Sequence, residues 1–143
     1  TADEVAAVLG MTHTTHPALA ERMNWNEGTD WTDFLAEWHK ATADRDYAPK
    51  YGASSRATGE RIRELIRQVG SEDQHLVLVS HGGAIVDLLR TLFPDERLKE
   101  LRISSELGFD FRMPHCAIST VVWGDRPRLE RIASTGHLSE VTE

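Results

Sequence analysis

Leu76-Val77-Leu78-Val79-Ser80-His81-Gly82-Gly83-Ala84-Ile85 is the stretch on which the fold turns. Four apolar residues in a row, rich in Val and Leu, read as a strand buried on both faces, the usual state in a parallel sheet. The run stops at Ser80 and places His81 at its carboxyl end. After two glycines, Ile85, Leu88, Leu89 and Leu92 recur with a helical period. Ligands of open α/β sheets sit beyond the carboxyl ends of the strands. Glycine lets a backbone approach a ligand closely, and the first amides of the next helix point at it. Two readings of His81 fit this setting: a donor to a phosphate oxyanion, or a simple cap on the helix that follows.

Working outward, the chain opens in a helix over residues 1–9, with Asp3 and Glu4 early and Gly10 as its stop. Residues 11–19 read as a short extended segment. A second helix is predicted over 30–41, because Trp31, Phe34, Leu35 and Trp38 fall at i, i+3, i+4 and i+7 behind Asp30. Residues 44–52 read as an irregular loop. A third helix covers 55–69, with Ser54 or Ser55 at its start and Gly70 at its end. Residues 95–101 form one further short helix, and 102–112 loop over a surface. The Val, Ile and Thr content of 116–123 reads as a strand, turned by Gly124-Asp125-Arg126-Pro127 into a partner over 129–133. No repeat or linker divides residues 1–143, so one α/β domain is expected.

The formal charge of −7 argues against general affinity for nucleic acid or an anionic membrane surface. No apolar run approaches the length of a membrane span, and no signal peptide is recognisable. Cys116, the single cysteine, has no internal disulfide partner, which points to the reducing cytoplasm. It reads as a small core residue at the start of a strand rather than a nucleophile. His13 and His16 have a spacing that suits metal on a helix, but the Thr and Pro around them favour a loop, so no metal site is expected. Trp31 and Trp38 read as core at helical spacing; together with Trp25 they are also candidates for an apolar wall over a pocket.

Four features in order resemble the histidine phosphatase superfamily, which shares its fold with cofactor-dependent phosphoglycerate mutases. Thr1-Ala2-Asp3-Glu4-Val5-Ala6 is similar to the end of the family's first long helix. Leu19-Ala20-Glu21-Arg22 with Asn26-Glu27-Gly28 is similar to its leucine-x-glutamate segment. Gly52-Ala53-Ser54-Ser55-Arg56, leading to Arg61, is similar to its glycine-acidic-serine motif, and Val79-Ser80-His81-Gly82-Gly83 to its second histidine motif. The resemblance implies a three-layer α/β/α phosphoglycerate mutase-like fold with a mainly parallel sheet. It implies that Glu21 donates a proton to the leaving oxygen, and that His81 and a backbone amide near Gly82 stabilise the phosphoryl group. Arg22 then lies where some members contact the substrate's acidic group, and Ser54 joins the substrate-binding set. Donors positioned around a phosphoryl group in flight are the main catalytic resource of such a site. Without the resemblance, Glu21 reads as an acidic residue beside Arg22 on a solvated loop.

The family's nucleophile is a histidine in an Arg-His-Gly motif, and residues 1–143 contain no such motif. The resemblance places that histidine, two pocket arginines and a central strand of the sheet before Thr1. Three explanations are open: a fragment of a longer enzyme, a strand lent by a second copy in a homodimer or swapped assembly, or a smaller repacked α/β domain. Ala53 stands where the family usually has Glu or Asp. The expected activity is hydrolysis of a small phosphate monoester through a phosphohistidine, without cofactor or metal. The alternatives are a mutase-like phosphotransferase and a non-catalytic phosphate binder. Met23-Asn24-Trp25, where mutases usually carry a tyrosine, favours the phosphatase.

Overall fold

The computed structural model describes residues 1–71, 74–102 and 113–138. Five helices are present among them: α1 (Ala2–Val8), α2 (Trp31–Ala43), α3 (Ser55–Val69), α4 (Gly82–Leu92) and α5 (Asp95–Arg102). Their ends follow local chemistry. The Asp30 carboxylate accepts the Asp33 amide at 2.8 Å and starts α2, while the Ser54 hydroxyl accepts the Ala57 amide at 3.2 Å and starts α3. Gly10, at φ 63°, takes the left-handed conformation just after α1. The stretch expected to be extended over 11–19 instead ends in a 3₁₀ turn, Pro17–Leu19, where His16 Nδ1 accepts the Ala18 amide at 3.1 Å. Most of the surface loop expected over 102–112 lies outside the described residues.

The one sheet among the described residues is a hairpin of β1 (Ile118–Val122) and β2 (Arg128–Ser134). It is antiparallel, with Val122 opposite Arg128 and Val121 opposite Leu129, and irregular on either side of Thr120. Residues 76–80 depart from the strand expectation. They pair with no strand among the described residues, and Leu76 and Val77 are 45 % and 58 % exposed. A strand buried on both faces needs neighbours along both edges, and no described segment lies alongside to take its backbone hydrogen bonds. Leu78 packs on the core, and the Ser80 hydroxyl donates to the Leu19 carbonyl at 2.7 Å, which holds the end of the run beside the turn that leads into Glu21.

Three apolar clusters form the core. Ile62 and Ile66 of α3 meet Ala84 of α4, with Leu19 and Leu78 against them. Leu89, Phe93 and Leu98 gather the hairpin through Val121, Leu129 and Ile132. Met23, Phe34 and Ala41 pack with Trp38, Tyr47 and Tyr51. α3 and α4 approach so closely that a Cβ at Gly59 would overlap the Asp87 carbonyl oxygen and the Thr91 hydroxyl. Two expected core residues lie elsewhere. Cys116 is exposed at φ 57°, in a turn after Pro114 that precedes β1. Trp31 is 54 % exposed, its ring stacked on Phe34 at 5.6 Å and edge-on to Trp25 at 5.9 Å.

Candidate functional site

The segment carrying Glu21 is held from three sides. Met23 and Gly52 form an isolated antiparallel bridge, and the Ala53 amide donates to the Arg22 carbonyl at 2.8 Å. From α3, the Arg61 guanidinium donates to the Ala20 carbonyl at 2.6 Å. The Glu21 carboxylate then meets the start of α4. Its Oε2 accepts the Gly83 amide at 3.0 Å, and its Oε1 accepts the adjacent Arg22 amide at 2.8 Å. Gly83 sits in the first turn, where helix amides lack partners within the helix and the helix dipole favours negative charge. His81 occupies the N-cap position of α4, yet its side chain makes no capping bond. The carboxylate of Glu21 does that work from across the chain. A Cβ at Gly83 would lie 2.7 Å from Glu21 Oε1, 2.7 Å from Trp38 Cη2 and 2.9 Å from Glu21 Oε2, so only glycine leaves room for this contact.

Beneath it lies a buried polar layer. Arg22 is 4 % exposed and Asp87 is fully buried. The guanidinium donates to Asp87 Oδ1 at 3.1 Å and to the Thr42 hydroxyl, and lies 4.0 Å from the Trp38 ring centroid. The Ser55 hydroxyl donates to the same Asp87 oxygen at 2.6 Å. Arg45 in turn donates from Nε to the Ser55 hydroxyl at 3.2 Å, and from a terminal nitrogen to the Asp87 carbonyl at 3.2 Å and to the Thr91 hydroxyl at 2.6 Å. Burial pushes the Asp87 carboxyl up to about 6, against the pull of Arg22 and the Ser55 hydrogen bond. The same burial holds the Arg22 guanidinium below its usual range, with Asp87 acting in the opposite sense.

Of the residues expected at the site, the structure gathers Glu21, His81 and Gly82 at the N-terminus of α4. The His81 side chain is exposed, and a Cβ at Gly82 would come within 3.3 Å of Met113 Cβ. Arg22 follows Glu21 in sequence, but its guanidinium turns inward to Asp87 rather than out to solvent. Ser54 is half-buried and its hydroxyl caps α3. His13, His39, His75 and His115 are all exposed. Among the described residues no group of three or more His, Cys, Asp or Glu side chains gathers as a metal site would require. A shallow cleft between α3 and the hairpin turn, lined by Arg63, Arg67, Trp123 and Asp125, contains none of the expected site residues. Sequence reading gave no role to Asp87 or Arg45, and named Gly83 only within the histidine motif. Asp87 had one available signal: an acidic residue within the otherwise apolar run of α4, four positions after Gly83.

A carboxyl group at the N-terminus of a helix whose N-cap is an exposed histidine puts acid–base groups where an oxyanion would bind. The family model of the histidine phosphatase superfamily (branch 1) matches residues 1–135, and the chain belongs to that superfamily. Its members are generally phosphatases or mutases with a phosphoglycerate mutase-like α/β fold. No curated protein and no solved structure matches the chain. No helix among the described residues is long and apolar enough to cross a membrane.

Proposed function

We propose that this chain carries the proton-donating and oxyanion-binding part of a phosphatase site for small phosphate monoesters. Glu21 protonates the leaving oxygen, and the Gly83 amide then stabilises the carboxylate left behind. His81 and the Gly82 amide donate to the phosphoryl oxygens. Attack comes from a histidine that forms a phosphohistidine, which water then hydrolyses. The reading places that nucleophile outside residues 1–143, and the sheet that would flank residues 76–80 with it. Contact between Arg22 and a substrate acid would require its guanidinium to leave Asp87; contact at Ser54 would require its hydroxyl to share the Ala57 amide. The observation that carries the reading is the 3.0 Å bond between Glu21 and Gly83, two residues after His81, in a chain of this family.

The test is incubation with an alkyl phosphate, whose alkoxide leaves only with a proton, followed by analysis for acid-labile phosphohistidine. Turnover that Glu21→Gln and His81→Ala both reduce by at least tenfold is expected of the active protein. Turnover that survives both substitutions refutes the site. One observation favours a second reading, phosphate binding without turnover: the Glu21 carboxylate is engaged as an acceptor by the Gly83 and Arg22 amides. Vanadate binding that depends on His81, with no turnover, is its signature.

A further inference from the structure

We propose that Asp87 is a positioning residue for Glu21, acting through the Arg22 guanidinium. The inference rests on the role just proposed for Glu21 and adds what sets its geometry. Gly83 and Asp87 are four residues apart on α4, so they share one helix face. That face contacts two consecutive residues of the 20–23 segment: the Gly83 amide takes the Glu21 carboxylate, and the Asp87 carboxylate takes Arg22. The backbone bends at Ala20 and again at Arg22, which lets both side chains reach that one face. Fixing both fixes the rotation of the dipeptide about its own axis, which a single contact leaves free.

Asp87 is well suited to act as the fixed end. Ser55 of α3 donates to its carboxylate, and Arg45 reaches both Ser55 and the Asp87 carbonyl. The Trp38 ring faces the guanidinium and also bounds the space at Gly83, so one indole closes both contacts. A buried ion pair is weak grounds for stability, because desolvation offsets much of its attraction; its best-attested use is to select one geometry. The burial that pushes the Asp87 carboxyl up to about 6 shows that cost here. The groups facing this carboxylate are Arg22 and Glu21 from the 20–23 segment, Arg45 from the loop after α2 and Ser55 from α3. The competing view is that the Met23–Gly52 bridge alone places Glu21 and that Asp87 merely fills the interior.

The Gly83 amide separates the two views, because its proton reports directly on the Glu21 carboxylate. In an amide NMR spectrum of the 143-residue chain carrying His81→Ala, which removes the neighbouring imidazole, the Gly83 shift should step near pH 6 as Asp87 ionises. In Asp87→Asn that step should vanish and Gly83 hydrogen exchange should quicken at least tenfold, while Ile62 and Leu89 amides keep their protection. Arg22→Lys, which keeps the charge and loses the planar fork, should quicken Gly83 exchange likewise. Ser55→Ala removes one bond to Asp87 and gives a smaller effect in a chain that folds even where Asp87→Asn does not. An unchanged Gly83 amide in Ser55→Ala and Arg22→Lys overturns the proposal. In the active protein, Arg22→Lys should lower kcat at unchanged KM; a change confined to KM also overturns it. Inorganic phosphate that fails to shift the Gly82 and Gly83 amides, alongside an Asp87-dependent Gly83, supports the positioning role and refutes the phosphate reading separately.

Discussion

Gly83→Ala is the sharpest single perturbation of the site. The new methyl would stand 2.7 Å from Glu21 Oε1 and from Trp38 Cη2. Ordinary contact requires roughly 3.5 Å, so the neighbours must withdraw by about 0.8 Å. The indole is packed over Arg22, and the carboxylate is the free end of a flexible chain, so the carboxylate moves. Its 3.0 Å bond to the Gly83 amide then stretches past hydrogen-bonding reach. Losing a charge-assisted bond costs about 1.5–3 kcal/mol, and alanine in place of glycine in a helix returns about 1 kcal/mol. The net destabilisation is about 0.5–2 kcal/mol, a fall in Tm of roughly 2–6 °C for a domain of this size. The catalytic loss is larger, because a misplaced proton donor forfeits about 10²-fold or more. The assay is kcat for an alkyl phosphate beside a thermal melt of the same preparation. A variant that keeps half its turnover refutes the argument that this contact positions the proton donor. A fall in Tm beyond about 10 °C shows instead that the glycine serves packing.

Glu21→Gln should reduce turnover of alkyl phosphates at least tenfold more than that of p-nitrophenyl phosphate, whose phenolate leaves without a proton; equal losses in steady-state assays count against a proton donor. Gly59→Ala should destabilise by about 3 kcal/mol or more in urea melts, since its methyl would meet the Asp87 backbone carbonyl, which cannot turn aside, as well as the Thr91 hydroxyl; a loss under 1 kcal/mol refutes the close approach. The folded-state Asp87 carboxyl sits at about 6, above the 3.8 of the free group, so the native state binds more protons between these values and stability falls as pH rises through that window. Urea midpoints of the wild type, measured against Asp87→Asn, should therefore decline from pH 4 to 6 by an amount worth about 2 kcal/mol; a rising difference has the wrong sign. Glu37 behaves oppositely. The Lys40 ammonium, the Lys50 amide and the Tyr47 hydroxyl hold its carboxyl down at about 2, so its contribution is present above about pH 4.5 and fades toward pH 2. Glu37→Gln should flatten that acid limb, and an unchanged limb contradicts the assignment.

Helices were the readable part of the chain, because their ends are written in adjacent residues. Asp30 and Ser54 each hydrogen-bond an amide three residues on, so α2 and α3 begin where the sequence places them. Residues 76–80 were not readable in the same way. Apolar character marks a segment fit for a sheet, but a ladder needs a second segment that no local pattern supplies. Cys116 misled for a related reason: its left-handed backbone follows from the turn at Pro114, not from its side chain. At the site, His81 was marked by its place after the apolar run and Glu21 by the resemblance, whereas the contact of Glu21 with the start of α4 depends on Gly83 having no side chain. Asp87 was hidden because its meaning lies in Arg22, 65 positions earlier.

The exposed apolar start of the 76–80 run, at Leu76 and Val77, has a practical consequence for anyone handling this chain. Its backbone donors and acceptors, flanked by Leu76 and Val77, are a template on which a second extended polypeptide can lay down a ladder. Colloidal behaviour should thus hinge on a few side chains, and a lysine at position 77 would act as a gatekeeper against clumping.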